Sequence, residues 1–234
     1  MNRRKFIKST SLTGLCISMA GCINNDDINT SPSSNTHQND SNIDLANSSS
    51  PIVTDINKRP MRGSEDARYS LISIDEPSCP FCREFMEETY PELESELINT
   101  GQLKYYSLLR NNDTEQWSNA SVHYLYNLYK KTNQSASYFE LLNYYYENQV
   151  RITGESIYDK SNEFISSNNS VNINEIESNV KNKKYNDELI EIQDTQDMVG
   201  LTITPSFALF DGDSLITELL GAYEADVFFT LIQD

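Results

Sequence analysis

Arg68-Tyr69-Ser70-Leu71-Ile72-Ser73-Ile74-Asp75-Glu76-Pro77-Ser78-Cys79-Pro80-Phe81-Cys82 is the stretch on which the reading of this chain turns. Its first eight residues are rich in β-branched and aromatic side chains and read as a buried strand. Asp75 to Ser78 turn the chain. Pro80 stands where a helix opens, because a proline at the first helical position gives up an N–H that would have no partner there. Phe81, Phe85, Met86, Leu93 and Leu97 follow at roughly helical spacing with acids between them, and Pro91 predicts a kink. Strand, turn and helix thus place Cys79 at a helix N-terminus and Cys82 one turn inside.

Two thiols separated by two residues do redox chemistry, bind a metal or staple a loop. The sequence has four cysteines, at 16, 22, 79 and 82. The first two fall in a leader, so the mature domain holds only the pair. A zinc site needs about four ligands, and the two histidines are His37, in a polar tether, and His123, expected partly exposed on a helix. No metal site is assigned. A disulfide closing so short a loop restricts little chain entropy, which argues against a purely structural role. Redox chemistry is the expectation. The positive end of the helix macrodipole and its free N–H groups favour a thiolate at Cys79. Lowering a free-cysteine pKa of ~8.5 by about two units takes ~2.7 kcal/mol and makes most of the thiol reactive near neutrality. Cys79 then attacks or is attacked, and Cys82 resolves the mixed disulfide.

Downstream, residues 101–109 read as a second strand. A helical block spans about 113–199, with faces marked by Val122, Leu125, Tyr126 and Tyr129, then by Tyr138 to Tyr145, by 157–165, by 173–180 and by 186–199. Tyr144-Tyr145-Tyr146 reads as core and groove wall. Gly200 is a C-cap signal. Leu201–Ile203 and Ser206–Phe210 look like strand on either side of Thr204-Pro205. Asp211-Gly212-Asp213 is a hairpin turn, Ser214–Leu220 a strand and 222–232 a closing helix. The order predicts an α/β sheet with a helical insertion between the second and third core strands.

Upstream, the chain opens with Met1-Asn2-Arg3-Arg4-Lys5-Phe6-Ile7-Lys8 and a short apolar run from Ser9 to Ala20, then Gly21-Cys22. A basic start, a modest apolar stretch and small residues describe a signal peptide, residues 1–22, too short for a spanning helix. Arg3-Arg4-x-Phe6-Ile7-Lys8 resembles a twin-arginine export signal. Met19-Ala20-Gly21-Cys22 resembles a lipobox, which implies lipidation at Cys22 and an anchor on the outer face of the membrane. Residues 23–57 are dominated by Asn, Asp, Ser and Thr and are expected to form a disordered tether; the domain is expected over 58–234. The formal charge is −17, and the leader's four cations, none offset by an acid, take it to −21 once removed. Such acidity excludes a nucleic-acid partner, which needs a basic patch, and fits a protein adapted to salt.

Beyond the single motif, the chain resembles the thioredoxin superfamily, and within it the DsbA-like thiol-disulfide oxidoreductases, from about Pro60 to Asp234. The resemblance is carried by Arg59-Pro60-x-x-Gly63-x-x-Asp66-Ala67, the strand, Cys79-Pro80-Phe81-Cys82, the helical insertion and Gly200-Leu201-Thr202-Ile203-Thr204-Pro205-Ser206-Phe207. It implies a thioredoxin-like fold, catalysis by Cys79 and Cys82 through a reversible disulfide with no further cofactor, and substrate binding at Pro80, Phe81, Thr204 and Pro205. It also implies a cis Thr204-Pro205 bond facing the disulfide. Cysteine-containing exported proteins are the implied substrates, and a membrane redox partner resets the pair. Where many relatives carry a buried acid six residues before the first cysteine, this chain has Ser73; Asp75 and Glu76 lie nearer the thiols. The dipeptide Pro80-Phe81 has no histidine to stabilise a thiolate. Two alternatives stand beside oxidation or isomerisation of disulfides: a reductase delivering electrons to a partner, and a non-catalytic peptide-binding module stapled by its disulfide.

Overall fold

A computed structural model describes residues 44–115, 117–168 and 171–233. Five strands, β1 (Met61–Arg62), β2 (Tyr69–Asp75), β3 (Leu103–Leu109), β4 (Ser206–Asp211) and β5 (Ser214–Leu220), form one mixed sheet in the order β1-β3-β2-β4-β5. β2 lies at its centre, parallel to β3 and antiparallel to β4, with Ser73 opposite both Ser107 and Phe207. All of β3 and all of β2 beyond Tyr69 are buried. Apart from Lys104 and Asp75, these strands are therefore runs of apolar or small polar residues instead of alternating ones.

The parallel β2–β3 pair requires a crossover, and the chain supplies one long helical segment. It begins as α1 (Pro80–Glu84), passes through a π-turn at Phe85–Thr89, continues as α2 (Tyr90–Leu93) and ends in a second π-turn at Glu94–Ile98. The break expected at Pro91 takes this form. Proline has no N–H for the carbonyl four residues back. The ladder widens just ahead of it, where the Tyr90 N–H reaches the Phe85 carbonyl five residues back. Phe85 packs on Phe207 at 4.6 Å and on Phe228 at 6.0 Å, and those two meet at 5.3 Å. This aromatic triangle fixes the crossover against β4 and the closing helix.

Between β3 and β4 come α3 (Ser118–Thr132), α4 (Ser135–Glu147), α5 (Ile157–Asn168), α6 (Ile173–Lys181) and α7 (Asn186–Met198); α8 (Ala225–Gln233) closes the chain. Tyr145 and Tyr146 are core, whereas Tyr144 is half-buried and stacks on Phe164. The fold is α/β, a mixed sheet with the expected helical insertion lying between β3 and β4, the second and third strands that the sequence reading foresaw.

Three expectations are corrected, and one strand had left no sign in the sequence. The tether does not extend to residue 57. Three 3-10 turns, Leu45–Asn47, Pro51–Val53 and Ile56–Lys58, bury Leu45, Ile52, Val53 and Ile56 in the domain core. The Asn- and Ser-rich average hid four well-placed apolar residues. Residues 201–203 are not a strand: 201–202 are irregular and a bend runs over 203–205. His123 is fully buried on α3, and neither ring nitrogen has a hydrogen-bond partner among the described residues. The two-residue β1 was too short to leave a periodic signal; Gly63 beyond it has φ 98°, and a Cβ there would come within 2.6 Å of the Leu103 carbonyl oxygen. The signal residues 1–22, Cys22 and the remaining tether to 43 lie outside the described residues.

Candidate active site

β2 ends in the turn Asp75–Ser78, which delivers Cys79 as the N-cap of α1 with Pro80 at the first helical position. The Cys82 backbone N–H points at the Cys79 sulfur, 3.4 Å away, and the Cys79 thiol donates to the Thr204 carbonyl at 3.2 Å. Both thiols are free. The Thr204-Pro205 peptide is cis, and the Gly221 N–H ties down the Pro205 carbonyl at 2.8 Å. Residues 125 positions apart in sequence thus meet around one sulfur. Pro80 and Phe81 are exposed beside it, Phe81 by 59%, as is Ile203 next to Thr204. Phe81, expected on the inner helical face, instead presents its ring to solvent next to the thiol.

The two sulfurs are opposites electrostatically. The Cys79 pKa is lowered from 9.0 to about 6, chiefly by a hydrogen bond from the Cys82 thiol, against an opposing effect of burial. The Thr204 side chain and the backbone N–H groups of Cys82 and Phe81 add to the stabilisation. Cys82 is pushed well above the ordinary thiol range by burial, by its donation to Cys79 and by the charges of Cys79 and Asp75. At neutral pH one sulfur is a nucleophile and the other keeps its proton.

That proton has a neighbour that sequence reading left without a role. Asp75 is fully buried at the end of β2, and burial raises its carboxyl pKa from 3.8 to about 6. Ser73 Oγ donates to one oxygen at 2.7 Å and Ser107 Oγ to the other; Ser107 also contacts the Tyr138 hydroxyl at 2.8 Å. Ser73, six residues before Cys79, supports the acid two residues on. Both face the same side of the sheet because side chains alternate along a strand. Glu76 is buried too and raised by burial, but its carboxylate is taken up by the Ser78 N–H at 2.9 Å and the Ser78 hydroxyl at 2.7–2.8 Å. It shapes the turn. From the helical insertion, Gln149 Nε2 donates to the Pro77 carbonyl at 3.0 Å and the Cys79 carbonyl at 2.9 Å. Asp75 could be noticed in the sequence as an acid near the motif; Ser107, Tyr138 and Gln149 carry no signal there.

A family model described as Thioredoxin matches residues 55–217. The chain belongs to the thioredoxin family. Among solved structures it is similar to oxidised BdbD from Bacillus subtilis, with a TM-score of 0.65 at 16% identity over 76% of this chain and 92% of that one. It is also similar to α-DsbA1 from Wolbachia pipientis, with 0.63 at 16% over 75% and 89%. DsbA from Chlamydia trachomatis gives 0.58 at 18% over 75% and 88%. No curated protein sequence matches the chain. At these identities the likeness is one of fold: a thioredoxin-family core bearing the helical insertion of DsbA structures.

Proposed function

We propose that this chain is an exported thiol-disulfide oxidoreductase in which Cys79 forms mixed disulfides with cysteine-containing proteins and Cys82 resolves them. The observation that carries the reading is the asymmetry of the pair. Cys79 is held between N–H and thiol donors at a helix start and against Thr204, while Cys82 is buried and protonated. The chemistry requires this division of labour, because the thiolate is the nucleophile and the more acidic thiol is the better leaving group. Resolution needs a base for the Cys82 proton, and the buried Asp75, whose charge bears on Cys82, supports that role. As Cys82 attacks Cys79, the bond between Cys79 and the substrate sulfur breaks. The substrate leaves as thiolate with the electron pair, and Asp75 takes the proton.

Resolution by Cys82 reduces the substrate. Oxidation, which with isomerisation is the preferred direction, runs that step in reverse. A substrate thiolate attacks Cys79, the Cys79–Cys82 bond breaks, and the Cys82 sulfur leaves with the electron pair and takes its proton from Asp75; a second substrate thiolate then displaces Cys79. Shifting one thiol from 9.0 to about 6 stabilises the reduced form at pH 7 by about 1.4 kcal/mol, which moves the couple about 30 mV toward oxidising power. The exposed Phe81 and Ile203 beside the cis Thr204-Pro205 bond support an extended substrate chain laid across Pro80, Phe81, Thr204 and Pro205. Arg3-Arg4 and Cys22 support twin-arginine export and a lipid anchor at the outer membrane face, where a membrane redox partner resets the disulfide. The test is trapping. A Cys82→Ser chain should accumulate mixed disulfides with exported proteins through Cys79. Absence of adducts, or a reduction potential for the wild-type pair below that of thioredoxin, about −270 mV, overturns the oxidising reading.

A further inference from the structure

We propose that Tyr138, carried by α4 of the helical insertion, is a positioning residue for the redox pair: through Ser107 it orients the hydrogen bonding of Asp75, so that the insertion takes part in holding the Cys82 proton. This rests on the reading of Asp75 as acceptor of that proton. The balanced step is Cys82 thiol plus Asp75 carboxylate plus the Cys79–substrate disulfide giving the Cys79–Cys82 disulfide, Asp75 carboxylic acid and substrate thiolate.

A count of hydrogens carries the inference. Ser107 has one hydroxyl hydrogen and touches two partners, Asp75 and, at 2.8 Å, the Tyr138 hydroxyl. While Asp75 is ionised it only accepts, so the Ser107 hydrogen points at Asp75 and Tyr138 donates to Ser107. The chain then runs Tyr138 to Ser107 to carboxylate, each bond polarising the next. Once Asp75 is protonated it has a hydrogen of its own, and Ser107 is free to turn toward Tyr138. The two orientations correspond to the two protonation states of the acid. On the other side Ser73 donates to Asp75 at 2.7 Å, and the Tyr105 hydroxyl lies against Ser73. The titratable groups facing Asp75 are Cys82 from α1, Tyr105 from β3, and Tyr138 and Tyr146 from α4. Tyr146 supplies an internal control, since its buried hydroxyl has no partner among the described residues.

Asp75 should be titrated in the reduced, full-length protein through its carboxyl infrared band, in wild type, Tyr138→Phe, Ser107→Ala and Tyr146→Phe. The pH profile of mixed-disulfide resolution should be measured alongside. Loss of one polarising hydrogen bond should raise the Asp75 midpoint in Tyr138→Phe by about half to one unit. The rising limb of the resolution rate should move to higher pH by the same amount. Ser107→Ala should raise the midpoint at least as far, and adding Tyr138→Phe to it should produce no further shift; Tyr146→Phe should leave the wild-type midpoint in place. An unmoved midpoint in Tyr138→Phe, or additive shifts in the double variant, overturns the proposal. If Asp75→Asn leaves the rate profile unchanged while Tyr138→Phe still moves the carboxyl midpoint, the acceptor reading has failed and the Tyr138–Ser107–Asp75 linkage has not.

Discussion

Removing the Cys82 sulfur should make Cys79 a poorer nucleophile, and by a calculable amount. The largest stabiliser of the Cys79 thiolate is the hydrogen bond from the Cys82 thiol, and it outweighs both the Thr204 side chain and the backbone N–H groups of Cys82 and Phe81. A hydrogen bond to a charged acceptor contributes about 1.5–3 kcal/mol, which corresponds to about one to two pKa units. Cys82→Ala should therefore lift the Cys79 midpoint from about 6 to roughly 7–8. At pH 6 the thiolate fraction should drop from about one half to between about one tenth and one hundredth, and alkylation by a small reagent should slow in proportion. Cys82→Ser keeps a hydroxyl donor and should fall between the two. The assay is the alkylation rate as a function of pH, with thiolate ultraviolet absorbance as an independent titration. A Cys82→Ala midpoint equal to wild type, or a wild-type midpoint near the free-thiol value of about 8.5, would refute the claim that the pair's geometry activates Cys79.

Asp75→Asn should stabilise the domain. The folded-state carboxyl pKa of about 6 lies above the unfolded value of 3.8, so the ionised acid costs stability at neutral pH, up to about 3 kcal/mol. Denaturation should show the variant's advantage at pH 7 shrinking toward zero below pH 4, and a variant less stable than wild type at pH 7 refutes it. His123 has the opposite sense: burial lowers its folded pKa from 6.5 to about 4, so the unfolded chain takes the proton first. Stability should fall as pH drops from about 6.5 to 4, by up to about 3 kcal/mol, and His123→Leu should remove that part of the slope. The acids Glu84, Glu88, Glu92 and Glu96 lie on the exposed side of the active-site helical segment. Their repulsion should be screened as the Debye length falls from ~10 Å at 0.1 M to ~3 Å at 1 M. The thermal midpoint should therefore rise with potassium chloride through that range, and a flat curve marks the charge as merely solvated. Arg3 and Arg4 changed together to lysine should strand precursor inside the cell, and Cys22→Ala should release the product; fractionation decides both.

The order of elements along the chain and the thiol pair just past the end of β2 were legible because they rest on local rules. A β-branched run, a proline one residue into a helix and a glycine after one each act within a few residues, so Arg68–Pro80 and Gly200 could be read directly. What stayed hidden was set by distance. Asp75 stands four residues before Cys79, yet nothing local says that Ser107 and Tyr138 will meet it, because that depends on the parallel register of β2 and β3 and on where α4 docks. Burial was hidden in the same way. His123 sits in a stretch polar enough to read as exposed, and α4, α5 and α6 pack around its helix. Leu45, Ile52, Val53 and Ile56 are apolar islands in a polar run, and an average over the window dilutes them.

The amide of Gln149 makes the insertion a structural component of the turn that carries the nucleophile. Its two bonds, to the Pro77 and Cys79 carbonyls, tie the insertion to that turn, and Val150, 81% exposed, follows directly in the chain. A minimal domain engineered by excising residues 113–199 would keep every strand, the aromatic triangle and both thiols. It would nevertheless leave two turn carbonyls with one hydrogen-bond donor fewer, at a cost of about 1–3 kcal/mol for each that stays buried and unpaired. The sulfur's backbone would then be free to wander from Thr204. Trimming this protein to its sheet and flanking helices is thus predicted to preserve the scaffold and to blunt its chemistry.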